Sequence, residues 1–245
     1  MKILSIVPAD ANSEAGKPPP IELITEMERL RAESVERGVY VDGGGLLPTR
    51  FGSRLVFTDG KAHVTDGPFA ETKELIAGYA ILEVKDLEDG IAEAKKLPLR
   101  CEVELRPIFA CADVPTAARK PGTQRYMFVF KAGAELSGPP PQEIMDTMTK
   151  YNNELIAAGA LLQGVGLQPS AAAARVNLGT GEIKRGPFDP KNLVTGWWII
   201  QAANKAEAVE WAKRVPIPSG VIEVRPFMDG QNCAQTVHEL AAQAA

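Results

Sequence analysis

The sequence predicts an α+β fold assembled from two copies of one structural unit within a single chain. Motifs of the N-terminal half recur in the same order in the C-terminal half, about 118 to 121 residues further on. The predicted elements of each copy run strand–helix, several strands, then helix–strand, which is typical of the α+β class. In addition, one strand of each copy is apolar at almost every position, so both of its faces need cover.

The internal repeat is the strongest of these observations. The matching stretches are residues 43–48 with 164–169, 67–69 with 186–188, 78–81 with 196–199, and 104–107 with 223–226. Agreement in order along a whole chain is the signature of a tandem duplication. We therefore predict a first domain over residues 1–110 and a second over residues 125–230.

Two segments fall outside the predicted domains. Residues 111–124 contain Pro115, Pro121, Gly122 and several alanines, a composition typical of a linker. Residues 231–245 place Val237, Leu240, Ala241 and Ala244 at helical spacing, which predicts a short C-terminal helical tail.

Local patterns predict the elements of the first copy in order. They are a strand over residues 2–7, a loop over 10–17, a helix from Ile21 to the stop at Gly38, an extended run interrupted by glycines 43–45, a hairpin turning at Asp59-Gly60, a strand over 78–84, a helix capped by Asp86, and a strand over 103–108. Three prolines suit the helix start, and glycine suits its end. The glycine run indicates a bulge or a close backbone approach.

The two apolar strands, residues 78–84 and 196–202, decide how the copies are expected to pack. An antiparallel sheet with both helices on one side leaves its other face exposed. Because these strands are apolar on both faces, something must cover the second face. The other copy is the obvious cover, so we predict an intrachain pseudo-dimer packed sheet to sheet.

Composition and charge exclude several classes of protein. Hydrophobic residues make up 45% and charged residues 24%, as in a globular protein with a packed core. The net charge of −4 gives no general attraction to nucleic acid or anionic membranes. No run approaches the ~18 apolar residues of a membrane span, and the first residues lack a signal-peptide pattern, so a cytoplasmic protein is expected. Three cysteines without a CxxC pair and two histidines predict no metal and no cofactor.

The stretch DGPFAETKE, residues 66–74, combines turn formers, an aromatic residue and four more charged or polar side chains. Asp66 is the first candidate for chemistry, because a carboxylate at a strand end can act as an acid, a base or a cation partner. Alternatively, Asp66 fixes the turn by accepting backbone hydrogen bonds. The second copy has Arg185 at this position, which reverses the charge. His63 is a candidate partner of Asp66, or an exposed strand histidine.

Four further residues are candidates for ligand binding. Glu71 and Lys73 either contact a ligand or form a solvated charge network. Tyr79 is expected to line the same cleft. Arg106 recurs as Arg225 before a proline, which is consistent with binding a carboxylate or phosphate, or with an ion pair to the neighbouring sheet.

The DGPFAETKE stretch, the GGGLLP stretch at residues 43–48 and the Arg106-Pro107 pair resemble the DGPF-type branch of the YCII-related domain family. This resemblance implies a ferredoxin-like dimeric α/β barrel, here with both halves on one chain. Some relatives are thought to use a histidine and an aspartate, and DGPF-type members often carry a histidine in the first helix. Met27 and Met148 occupy that position here, so the resemblance supplies no histidine base.

Two functions are compatible with these patterns. The first is a small-molecule-binding or enzyme-like barrel with one cleft near the DGPF loop, lined by Asp66, His63, Tyr79 and Arg106. The second is a regulatory protein that contacts a protein partner, because DGPF-type domains are often associated with sigma factors of transcription initiation. Direct DNA binding is disfavoured by the acidic charge. The chain is expected to act as a monomeric pseudo-dimer or as a homo-oligomer.

Overall fold

The computed structural model describes residues 1–69, 75–109, 117–135 and 140–228. The helices are α1 (Ala11–Glu14), α2 (Ile21–Glu36), α3 (Leu87–Ala94), α4 (Gln142–Ala157) and α5 (Lys205–Lys213). The strands are β1 (Lys2–Pro8), β2 (Tyr40–Gly45), β3 (Ser53–Thr58), β4 (Lys61–Asp66), β5 (Ile76–Glu83), β6 (Glu102–Pro107), β7 (Gln124–Lys131), β8 (Leu161–Gly166), β9 (Ala174–Asn177), β10 (Ile183–Arg185), β11 (Gly196–Ala202) and β12 (Gly220–Pro226). This content confirms the α+β class.

The helix signals of the first copy are borne out with one correction. Helix α2 begins directly after the prolines and ends before Gly38, whose φ is 69°. Asp86 caps α3 by accepting a hydrogen bond from the Asp89 amide. The loop expected over residues 10–17 instead contains the short helix α1. Asp10 and Ser13 cap each other's backbone amides there, a local signal that the polar composition of the segment concealed.

The predicted turn and the predicted close backbone approach of the first copy are both confirmed. Asp59 and Gly60 connect β3 to β4 with φ values of 50° and 72°. A Cβ atom at Gly43 would lie 2.7 Å from the Tyr79 carbonyl oxygen, so the glycine run permits a close backbone approach. A bulge at Val41 also shifts the register of β2 against β5.

Two six-stranded antiparallel sheets carry the fold, and each contains strands from both repeats. The first sheet has the order β10-β9-β6-β1-β5-β2, and the second has the order β4-β3-β12-β7-β11-β8. The β3–β4 hairpin of the first repeat thus pairs with β12 of the second, and the β9–β10 hairpin pairs with β6 of the first. Sequence analysis did not predict this exchange, because the alternation of a hairpin fits either neighbouring strand equally well.

The apolar residues of both sheets meet in one shared cluster. Leu4 and Ile81 of the first sheet belong to the same buried cluster as Val129 and Ile199 of the second. All seven residues of β11 are buried, as the sequence predicted. Trp197 packs in the cluster shared by the sheets, and its neighbour Trp198 packs against the core beneath the helices.

Helix α2 is less covered than its pattern suggested. Its apolar residues Leu23, Ile24, Met27 and Leu30 are half-buried, and none of its residues is fully buried. The helix packs mainly against β2, which is an edge strand. One side of its apolar stripe is therefore covered by few other residues. By contrast, Tyr151 and Leu155 of α4 are buried.

The predicted linker is described only in part. Gln201 on β11 anchors it, accepting a hydrogen bond from the Lys120 amide at 2.8 Å and donating one to the Ala118 carbonyl at 2.8 Å. Strand β7 starts at Gln124, the last residue of the predicted linker. The predicted C-terminal helical tail, residues 231–245, lies outside the described residues.

Candidate functional site

Asp66 lies at the exposed end of β4 and forms an ion pair between the repeats. Its Oδ1 accepts hydrogen bonds from the Ser53 hydroxyl at 2.6 Å and from Lys205 Nζ of α5 at 2.9 Å. These two bonds lower the pKa of the Asp66 carboxyl, Ser53 contributing most. Since 67% of its side chain is exposed, Asp66 faces solvent.

Arg185, the counterpart of Asp66, forms an ion pair of the opposite polarity. Its guanidinium binds Glu88 of α3 in the first repeat. The charge reversal recognised in the sequence is therefore matched by a reversed partner. This compensation favours a role for Asp66 in joining the repeats over a role in chemistry.

Replacing Asp66 by Asn is expected to lower the free energy of unfolding by less than about 1 kcal/mol, because the ion pair is exposed. The folded-state pKa of Asp66 is lowered, so its contribution is complete above the ordinary aspartate pKa and is lost as the pH falls through the lowered value. Urea unfolding of both proteins at pH 7 and pH 3 measures this difference. A larger loss at pH 3 than at pH 7 would contradict it.

The structure does not join His63 to Asp66. His63 is exposed on β4 opposite Val56, and no hydrogen bond or ion pair of the described residues joins it to Asp66. Glu71 and Lys73 lie outside the described residues.

Arg106 is fully buried and is bound by internal groups. Its Nη1 donates a hydrogen bond to the Val194 carbonyl at 2.9 Å and lies 3.5 Å from Glu135. Its Nη2 donates to Glu104. Of the two roles considered for Arg106, this geometry favours the ion pair.

Tyr79 is the first member of a chain of hydrogen-bonded side chains that connects the two repeats. Its hydroxyl donates a hydrogen bond to Asp42 Oδ2 at 2.7 Å. Gln163 Nε2 of the second repeat lies 3.5 Å from the same oxygen, and the Trp197 indole donates to Gln163 Oε1 at 2.8 Å. We call these four residues the Asp42 chain.

Matching bulges place the two central side chains of the Asp42 chain. The register of β2 shifts at Val41, directly before Asp42, and that of β8 shifts at Leu162, directly before Gln163. Bulges re-aim side chains, here towards the other repeat. The Tyr79 ring packs 6.3 Å from Trp197, centroid to centroid, so aromatic surface flanks the polar atoms.

The Asp42 chain combines one fixed and one available carboxylate oxygen. Burial, and then the Asp42 charge, raise the pKa of the Tyr79 hydroxyl, so it remains a proton donor at neutral pH. Asp42 Oδ1 accepts no hydrogen bond within the described part of the chain. Asp42 and Gln163 occupy matching positions of the two repeats, as do Tyr79 and Trp197. The second repeat thus contributes an amide where the first contributes a carboxylate, and two adjacent charges are avoided.

Sequence reasoning included Tyr79 but missed Asp42 and Gln163. The sequence does contain a signal for these two positions. When the repeats are aligned, Asp42, which directly precedes three glycines, matches Gln163, which directly precedes Gly164. Only the structure shows that these two positions meet.

The two Gly-Pro-Phe loops share one mode of attachment. Thr49 donates its hydroxyl proton to Glu14 and accepts a hydrogen bond from the Phe69 amide at 3.2 Å. Ser170, the counterpart of Thr49, binds Glu135 and the Phe188 amide in the same way. Both Gly-Pro peptide bonds are cis.

Two surface cavities lie elsewhere. A groove of about 490 Å³ runs along α4, and one of about 230 Å³ lies between the segment that follows α4, the end of β11, and α5. Neither is lined by Asp42, Asp66, Tyr79 or Arg106.

The described residues include no cluster of three or more His, Cys, Asp or Glu suited to a metal ion. Among the helices in the described ranges, none is long and apolar enough to cross a membrane.

Comparison with known proteins agrees with the duplication. The YCII-related domain matches residues 1–110 and again residues 125–230. The chain belongs to the YCII-related domain family. Two YCII-related domains in one chain confirm the tandem repeat. The chain is also similar to an uncharacterized protein of Rhizobium meliloti (strain 1021), with 29% identity over 90 residues, 35% of this chain and 73% of that protein.

Proposed function

We propose that this YCII-related protein is an enzyme-like barrel that binds a small molecule at the Asp42 chain. The proposal keeps the first function expected from the sequence but centres the site on Asp42 and Tyr79. Asp66 forms an exposed ion pair, whereas Asp42 lies where strands of both repeats converge.

A ferredoxin-like dimeric α/β barrel is the proposed setting of this site. Leu46, which follows β2, forms a bridge with Phe227, which follows β12. Ile108, which follows β6, forms the matching bridge with Leu167, which follows β8. These contacts link the strands of one repeat to those of the other at both ends of the shared core, which supports a closed ring.

The observation that carries the proposal is the half-buried Asp42 carboxylate. Tyr79 orients it through Oδ2, and Oδ1 is left to accept a hydrogen bond from a ligand. A positioned carboxylate of this kind binds a donor group or removes a proton from it. The ligand class that fits is a small molecule with an N–H or O–H group, such as an amine, an amide or a phenol.

A thermal-shift screen of small amines, amides and phenols tests this function. Compounds that stabilise the wild type should bind Asp42→Asn at least about tenfold more weakly, since a hydrogen bond to a charged group contributes about 1.5–3 kcal/mol. Tyr79→Phe should weaken binding less, because it removes only the hydrogen bond that orients Asp42 through Oδ2 and leaves the carboxylate in place. Asp66→Asn is the control and should respond like the wild type. Equal responses of the wild type and Asp42→Asn would reject the site.

Contact with a protein partner is the second candidate function. It is supported by apolar side chains on the long helices that are at least 40% exposed: Ile21 and Val35 on α2, Ile144 and Met145 on α4. Charge substitutions at Ile21 and Ile144 would abolish partner binding and leave the ligand screen unchanged.

A further inference from the structure

Two clusters of charged side chains lie beneath the Gly-Pro-Phe loops, and they differ in composition. Cluster 1 contains Glu14, Arg50, Arg54, Lys131, Glu223 and Arg225. Cluster 2 contains Glu104, Arg106, Glu135 and Arg175. Arg50 and Lys131 have no charged counterparts in cluster 2, because Ala171 and Pro8 occupy the matching positions. Cluster 1 therefore contains two cations, Arg50 and Lys131, that cluster 2 lacks.

The buried arginine of cluster 2 is bound at both terminal nitrogens, although its Nε, like that of Arg225, has no hydrogen-bond partner among the described residues. Both terminal nitrogens of Arg106 donate hydrogen bonds, one to the Val194 carbonyl and one to Glu104. Glu104 also accepts a hydrogen bond from Arg175 at 2.9 Å. No cation competes from the position of Pro8, so Glu104 can reach Arg106.

The matching arginine of cluster 1 is equally buried but incompletely bound. Arg225 Nη2 donates to the Leu47 carbonyl at 2.9 Å, whereas Nε and Nη1 have no hydrogen-bond partner in the described part of the chain. Lys131 and Arg54 each lie 3.0 Å from Glu223 Oε1, and Glu223 Oε2 is 3.9 Å from Arg225 Nη1. Lys131 thus holds Glu223 away from Arg225. Burial lowers the pKa of the Arg225 guanidinium, which agrees with a poorly compensated charge.

Arg50 adds a second set of buried donors to cluster 1. Its Nη1 donates to the Glu14 carbonyl at 3.0 Å, but its Nε and Nη2 are buried and meet no acceptor within the described ranges. Arg225 also faces Glu14, 3.7 Å from Oε1. Buried donors left without partners are costly, and a bound ion is one of the few explanations for them in a native fold.

We propose that Arg50 and Arg225 bind one small oxyanion, a carboxylate or a phosphate group, beside the Gly-Pro-Phe loop of the first repeat. Guanidinium groups recognise both anions through paired N–H donors. Glu223 Oε2 accepts no hydrogen bond from the described residues, and its negative charge disfavours a second high charge beside it, so a singly charged oxyanion is favoured. Cluster 2 offers no equivalent site, which sets the stoichiometry at one anion per chain. The site shares no residue with the Asp42 chain.

Thermal unfolding of the full chain at pH 7, with acetate or inorganic phosphate replacing chloride at equal ionic strength, tests the proposal. Saturation should raise the Tm of the wild type by about 3 °C or more. Arg50→Ala, which reproduces the Ala171 of the second repeat, should lose the response. Lys131→Met should lower the affinity for the anion at least about tenfold, because Glu223 can then form an ion pair with Arg225 in place of the anion. Arg185→Ala, which removes an exposed arginine at the other loop, is the matched control and should respond like the wild type.

Each outcome decides the proposal. A response to acetate alone supports a carboxylate site, and a response to phosphate alone supports a phosphate site. No response of the wild type to either anion would overturn the proposal, as would an undiminished response of Arg50→Ala or Lys131→Met. Isothermal titration of the wild type should give one anion per chain; two would contradict the assigned asymmetry.

Discussion

Replacing Gly67 by Ala should destabilise the protein by about 3 kcal/mol or more. A Cβ atom at this position would lie 1.9 Å from the Thr49 carbonyl oxygen and 2.5 Å from its carbon. The clash is with backbone, and Thr49 is held by Glu14 and by the Phe69 amide, so no flexible side chain can yield. Gly186→Ala should behave alike, because its Cβ would lie 1.7 Å from the Ser170 carbonyl oxygen. Urea unfolding of each variant measures the loss.

Gly60→Ala is the matched control for this prediction. Gly60 has a φ of 72° with nothing within 4 Å of a Cβ atom, so it tests conformational strain without a clash. The expected loss is about 1 to 2 kcal/mol. The steric explanation fails if Gly67→Ala unfolds no more easily than Gly60→Ala.

Arg106→Met should lower the free energy of unfolding by about 3 kcal/mol. The methionine fills much of the same space but leaves the Val194 carbonyl without its donor, and it leaves Arg175 as the one remaining partner of Glu104 among the described residues. Equilibrium unfolding in urea provides the measurement. Arg185→Ala, at an exposed ion pair, should change stability by no more than about 0.5 kcal/mol.

A second substitution separates the two roles considered for Arg106. Adding Glu104→Gln to Arg106→Met removes the weakly compensated charge and should recover part of the stability. An Arg106→Met variant as stable as the wild type, yet unable to bind stabilising ligands, would instead assign Arg106 to a ligand site.

Local features were predictable because their causes are local. The Asp59-Gly60 turn, the Asp86 cap and the glycine run depend on the conformational limits of a few neighbouring residues. The short helix α1 was missed because its Asp10 and Ser13 caps occur in a polar segment that is equally typical of a loop.

The candidate site was less predictable because its members are distant in sequence. Asp42 and Gln163 are 121 residues apart and meet only through the packing of both sheets. Asp66 lies in a more distinctive motif, but that motif reflects how the Gly-Pro-Phe loop fits against Thr49.

The sequence by itself determined that the chain contains two copies of one α+β unit and that one strand in each copy carries apolar residues on both faces. Periodicity and internal repetition are properties of the chain alone, so no structure was needed to see them. Only the tertiary structure decided that each repeat gives its hairpin to the other sheet and that Asp42 faces Gln163. The physical reason is that strand pairing and burial depend on partners far along the chain, which local residue patterns do not specify.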